Sequence, residues 1–150
     1  MAETQATVGT AGKTPVHLWI VAVLSFLWNL IGAFDYLASQ FKIESYMSHF
    51  SEAQLAFFYG FPSWAVAGWA LGVWGAFVGS IALLLRKKWA VWAFAVSLFG
   101  LFVNTIYTFG LSNGAEIMGT GGVIFSIIIW AVAIFLLLYC RAMANRGVLA

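Results

Sequence analysis

Two asparagines and an aspartate stand in runs otherwise apolar enough for a bilayer: Asn29 and Asp35 in "WNLIGAFDYL", and Asn104 in "LFVNTIYTFG". Polar groups at membrane depth are costly and often functional, so their chemistry needs an explanation first. Asn29 forms a stripe with Ser25, Gly32 and Tyr36, at spacings of 4, 3 and 4, on one helical face. Ser97, Asn104 and Thr108 repeat the idea further along the chain, with Tyr107 beside them, and Ser126 adds a hydroxyl in the last apolar segment. An amide so placed can bond a neighbouring helix, for about 0.6 to 2 kcal/mol, or hold a polar ligand. Helix–helix bonding is the simpler reading, and it predicts that Asn29 and Asn104 meet.

Other chemistry finds little footing. The two histidines, His17 and His49, fall at opposite ends of a predicted span and cannot share a metal. Cys140 is the single cysteine, which excludes an internal disulfide and a cysteine-based zinc site. H-E-x-x-H, G-x-S-x-G and an intrahelical carboxylate pair are all missing, so the expectation is a protein that is not an enzyme and holds no cofactor or metal. "GTAGKT" imitates a phosphate-binding loop, but Thr7 stands where the first glycine belongs. A net charge of +2 is too small to imply nucleic acid.

The elements that must position these residues follow from composition. Hydrophobic residues make up 63% of the 150 and charged ones 8%, against about 25% charged in soluble domains. Four stretches, 16–37, 62–85, 89–109 and 121–140, are long enough for a hydrocarbon core of about 30 Å. Only "RKK", Arg86–Lys88, separates the second from the third, which makes those two helices antiparallel neighbours. The fold class expected is an all-α membrane protein, an up-down bundle of four transmembrane helices with short interfacial helices in the first outer loop. Residues 1–14 read as a flexible cytoplasmic tail and 15–150 as one membrane domain.

Basic residues orient the spans. Lys13, Arg86, Lys87, Lys88, Arg141 and Arg146 fall on one side and Lys42 alone on the other. Lys and Arg are retained in the cytoplasm, so both termini are expected there. Counting from the cytoplasmic helix ends puts Asn29 roughly 20 Å and Asn104 roughly 22 Å into the membrane, with Ser126 and Gly68 at a similar height. Asp35, roughly 28 Å up, belongs to the outer rim, with Tyr36, Trp64 and Tyr107 in reach.

Gly68, Gly72, Gly75 and Gly79 recur at spacings of 4, 3 and 4 in the second span, a ridge that admits another backbone closely. Its partner is expected within the chain. Trp19, Trp89 and Trp64 suit the two interfaces. In the outer loop, Ile43, Met47 and Phe50 form an apolar face, and Ser51-Glu52-Ala53-Gln54 has the form of a capping box. These pieces are expected to fill the interface with apolar faces down, rather than to act as a lid.

"LWNLIGAFDYLASQ", "FFYGFPSWAVAGWALGVWG" and "MGTGGVIFSIIIWAVAIFLLLY" together resemble short four-span bacterial inner-membrane proteins of uncharacterised function, often labelled "sugar transporter" by similarity. The resemblance implies a multi-pass inner-membrane protein and brings no set of binding residues with it. The residues themselves suggest an accessory or interaction module with the lipid bilayer, and a membrane-protein partner or a second copy, as surroundings. The alternative is a small-solute carrier acting as an oligomer.

Overall fold

The computed structural model describes residues 14–150, so the expected tail, with Lys13 and the phosphate-loop look-alike, falls almost wholly outside the described residues. Four long apolar helices and two short ones make up the chain: α1 (Val16–Gln40), α2 (Glu44–Met47), α3 (Glu52–Tyr59), α4 (Ser63–Leu84), α5 (Ala90–Thr105) and α6 (Gly114–Asn145). A π-helical turn, Ile106–Leu111, extends α5. The molecule is thus an all-α, four-span membrane protein with short helices between its first and second spans.

Local chemistry accounts for where these helices start and stop. Both prolines of the chain, Pro15 and Pro62, stand directly before α1 and α4, where a missing N–H costs nothing. The expected capping box opens α3: Ser51 Oγ accepts from the Gln54 N–H at 3.1 Å, and Gln54 Oε1 accepts from the Ser51 N–H at 3.0 Å. Three helices close with the same pair of backbone bonds: Ile43 to Ala38 and Lys42 to Ser39 after α1, Lys87 to Ala82 and Arg86 to Leu83 after α4, and Val148 to Met143 and Gly147 to Ala144 after α6. The left-handed residue in these turns is Lys42, Arg86 and Gly147 respectively. Two basic residues thus bear the backbone cost that glycine would avoid, next to carbonyl ends that attract positive charge.

Two spans are longer than expected. α1 continues to Gln40, and α6 covers 32 residues where 121–140 was expected to cross. Beyond Gly119 the continuous part of α6, residues 120–145, reaches roughly 39 Å at about 1.5 Å per residue, longer than a core of about 30 Å. Residues 114–120, expected to be loop, are helical except at Gly119, whose φ of 76° and ψ of −178° break the helix. That conformation belongs to glycine.

Packing order follows the chain. α4 lies between α1 and α5, and α6 packs on α5. All four converge at the end that carries Arg86–Lys88, the basic end, around Leu18, Ala22, Leu83, Phe94, Leu136 and Cys140. Leu149 joins this core because the segment after α6 folds back, its Ala150 N–H donating to the Arg86 carbonyl at 2.8 Å. The opposite, loop end is roofed by α2 and α3, with Met47 and Phe57 buried.

The glycine ridge faces α5. A methyl group placed on Gly68, Gly75 or Gly79 would stand 2.9 to 3.1 Å from atoms of Val103, Ser97 or Phe94. Gly72 is looser, at 3.4 Å from the Leu101 nitrogen. The tightest point lies on the partner: a methyl group on Gly100 would stand 2.6 Å from the Gly68 carbonyl oxygen and the Gly72 nitrogen.

Candidate functional site

Membrane-interior polar side chains bond backbone. Asn29 Nδ2 donates to the Ala76 carbonyl at 3.2 Å, Ser97 Oγ to the Gly72 carbonyl at 2.6 Å, and Asn104 Nδ2 to the Ala65 carbonyl at 3.3 Å. Two flanking helices thereby grip α4 from both sides. Thr108 Oγ1 donates to Asn104 Oδ1 at 3.4 Å, which occupies the amide's other end. Among the described residues, every buried side-chain nitrogen and oxygen has a partner.

The expected meeting of Asn29 and Asn104 is therefore corrected. Their acceptors lie eleven residues apart on α4, about 16 Å along its axis. Counting from helix starts assumed that the starts share a plane. Instead Ala76, the Asn29 acceptor, lies about 13 Å from Leu85 at the basic end of α4, and Ala65, the Asn104 acceptor, about 30 Å from it. Ser126 is half-buried and makes no side-chain hydrogen bond to another described residue.

Asp35 and Tyr36 are neighbours in sequence but point about 100° apart around the helix. Asp35, half-buried, accepts from the Tyr46 hydroxyl on α2. Burial first, then the hydrogen bond to Asp35 and its charge, push the Tyr46 phenol well above its ordinary range, so it remains a donor. Tyr36 turns instead to α4, its ring centroid 4.9 Å from Trp69 and 6.1 Å from Trp74. Tyr107 packs on Phe61 at 5.0 Å and Trp64 at 5.7 Å. Phe61 also meets Trp69 at 6.1 Å, which joins the two groups into one aromatic belt. Tyr36, Tyr107 and Trp64 thus belong to one aromatic group at the loop end, while Asp35, expected to have them in reach, is bonded by Tyr46 on α2.

Beside this belt, bordered by its Phe61 and Trp69, is a cavity of about 220 Å³. Ser39 and Gln40 from the end of α1, Lys42 from the turn after it, Tyr59 from α3, and Val66 and Trp69 from α4 form its wall, with Phe58 and Phe61 completing it. Lys42 Nζ sits 4.5 Å from the centre of the Tyr59 ring. Sequence reasoning missed this group; the one readable signal was Lys42, the lone basic residue on its side. The short helices do more than fill the interface, since α3 supplies part of the cavity wall. A second, larger hollow of about 400 Å³ between α4 and α5 is walled by Trp74, Val78, Trp89, Trp92 and Val96 and is open to the lipid side.

The contrast between the asparagines and Asp35 can be measured. Asn29→Ala removes an interhelical bond and is expected to lower stability in detergent by about 1 kcal/mol. Asp35→Asn keeps an acceptor for Tyr46 and should leave the melting midpoint nearly unchanged. An Asn29→Ala protein that melts with the parent would show that the bond to Ala76 contributes nothing.

Comparisons with protein-family models, curated proteins and solved structures find no match, so no family is identified. What stands is a small four-span membrane protein in contact with the lipid bilayer.

Proposed function

We propose that this chain is an accessory or interaction module of a bacterial inner membrane, without chemistry of its own, whose interior serves to hold its four helices together. The observation that supports this is the spending of the Asn29 and Asn104 amide N–H groups and the Ser97 hydroxyl on α4 carbonyls, which ties these donors to the bundle rather than to a solute in transit. α6 is the natural face for a membrane-protein partner or a second copy, because 11% of its membrane window is buried against 22–28% for the other spans. The basic end, with both termini, is assigned to the cytoplasm on the retention of Arg86, Lys87, Lys88, Arg141 and Arg146. The second reading, a small-solute, sugar-like carrier working as an oligomer, draws on the loop-end cavity and on two irregular helical segments, the π-helical turn and Gly119.

One labelling series separates these. In a Cys140→Ala background, an impermeant maleimide added to intact cells should modify His49→Cys at the loop end and spare Arg146→Cys. Asn29→Cys and Asn104→Cys should stay unmodified even in permeabilised cells. A carrier hydrates such positions during its cycle, so labelling of either at a rate near that of His49→Cys would overturn the accessory reading. Labelling of Arg146→Cys from outside would reverse the orientation.

A further inference from the structure

Three tryptophans frame the hollow between α4 and α5 that opens to the lipid side. Trp89, Trp92 and Val96 follow spacings of 3 and 4 on α5, and Trp74 and Val78 a spacing of 4 on α4, so two ridges of large side chains run along neighbouring helices. Ala93 adds only a methyl group to the wall. The hollow begins at Trp89, directly after the basic linker, and ends at Trp74, eleven residues from Leu85 and so about 16 Å into the membrane. Half of a core of about 30 Å is about 15 Å, which makes the depth that of one leaflet. Its volume of about 400 Å³ equals about thirteen waters at roughly 30 Å³ each, and a methylene group takes about the same room, so most of one acyl chain fits.

Charge at the mouth decides which lipid. Lys87 and Lys88 are exposed, and Lys88 directly precedes Trp89, so both ammonium groups, on flexible four-carbon stems, stand within reach of a headgroup above the hollow. The Lys88 N–H donates to the Ala150 oxygen at 3.2 Å, which pins the linker through its backbone. Arg86 is turned to α1 instead, its guanidinium donating to Thr14 Oγ1 at 2.6 Å and lying 5.9 Å from the Trp19 ring. The carboxylate side chains among the described residues, Asp35, Glu44, Glu52 and Glu116, all lie at the loop end, so none of them neutralises this pair. Retention in the cytoplasm accounts for the sign of these charges but not for the hollow beneath them. An apolar groove one leaflet deep, with two lysines at its mouth, is complementary to a phospholipid with a net negative headgroup.

We propose that the hollow between α4 and α5 holds one anionic phospholipid, an acyl chain between the two ridges and its phosphate on Lys87 and Lys88. The proposal holds whether the protein is an accessory module or a carrier. A second copy is the competing occupant of the same face. A two-fold pair joined there would set the partner's two lysines against these two, and like charges so placed oppose it.

The test is the melting midpoint of the delipidated full chain in neutral detergent, titrated with phosphatidylglycerol or with phosphatidylcholine of the same acyl chains. A lipid that binds only the folded state raises the midpoint saturably. Phosphatidylglycerol should do so at about tenfold to thirtyfold lower concentration than phosphatidylcholine, the preference that two lysines near the surface supply. In the parent protein that preference should shrink severalfold between about 0.1 and about 1 M salt, as the screening length falls from about 10 to about 3 Å. The double variant Lys87→Gln, Lys88→Gln should melt like the parent without lipid, since both side chains are exposed, and should bind the two lipids alike. Lys87→Arg with Lys88→Arg should keep the preference. Ala93→Leu fills the hollow and should weaken binding of both lipids by about tenfold or more. Equal affinity for the two lipids in the parent, a preference indifferent to salt or kept by the glutamine pair, or full binding by Ala93→Leu would overturn the proposal. So would a midpoint that rises with protein concentration and not with lipid, the result expected of a second copy in the hollow.

Discussion

Gly100→Leu is expected to abolish the folded protein, and Gly100→Ala to lower its melting midpoint sharply. The atoms that a side chain at Gly100 would meet at 2.6 Å are the Gly68 carbonyl oxygen, the Gly72 nitrogen and Leu71 Cβ. Two of the three are backbone, and a helix backbone cannot step aside as the end of a long side chain can. α4 and α5 would have to separate, which strains the Ser97 and Asn104 bonds that join them. Overpacking in well-packed cores costs about 1 to 3 kcal/mol, and a backbone clash belongs at or above the top of that range. Gly72→Ala meets only an ordinary contact at 3.4 Å and should be tolerated, whereas the longer side chain of Gly72→Leu should not. Gly121→Ala meets nothing within 4 Å and sits in a helix, so it should gain roughly 0.5 to 1 kcal/mol from the lost flexibility of glycine. Melting midpoints in one detergent test the order. A Gly100→Ala protein as stable as Gly121→Ala would mean that the two helices do not approach as closely as described.

Why the ridge was legible and its tightest point was not shows how far the sequence carries. Gly68, Gly72, Gly75 and Gly79 announce themselves by a spacing that repeats, and a repeated spacing defines a face. Gly100 has no such repeat. Its importance comes from lying opposite the gap between Gly68 and Gly72, a register that only the packed pair of helices defines. The spans were legible because apolar length is a one-dimensional property, and α4 matches its expected limits within a residue. Depth was not, because it depends on how far each helix is displaced along its axis. Asn29 and Asn104 counted to one level and lie about 16 Å apart along α4 for that reason. The cavity was the least legible feature of all. Its wall draws on α1, the turn after it, α3 and α4, and no local pattern in Ser39, Gln40 or Trp69 marks them as neighbours.

Gly114→Ala is the second substitution expected to act strongly, through the loop end rather than the helix pair. Gly114 opens α6 and is buried, and a methyl group there would fall on the Thr108 carbonyl oxygen, with Thr108 Cγ2 at 2.6 Å. Thr108 lies in the π-helical turn, whose carbonyls are already in use: Ser112 Oγ donates to the Tyr107 carbonyl at 2.7 Å and to that of Thr108 at 3.0 Å. A methyl group at Gly114 therefore has to move α6 away or unwind the turn. Unwinding displaces Tyr107 from Phe61 and Trp64, and with it one end of the aromatic belt. Gly110→Ala is the matched control, since it lies in the same turn and meets nothing within 4 Å. Gly114→Ala should lower the melting midpoint by an amount comparable to Gly100→Ala and should weaken the near-ultraviolet circular dichroism of the aromatic belt. The basic-end core around Phe94 and Cys140 lies at the other end of the bundle, so Cys140 should stay protected from thiol reagents below the melting midpoint. Loss of that protection together with the aromatic signal would show that the two ends fold as one unit, and that the close contact at Gly114 supports the whole bundle rather than its loop end.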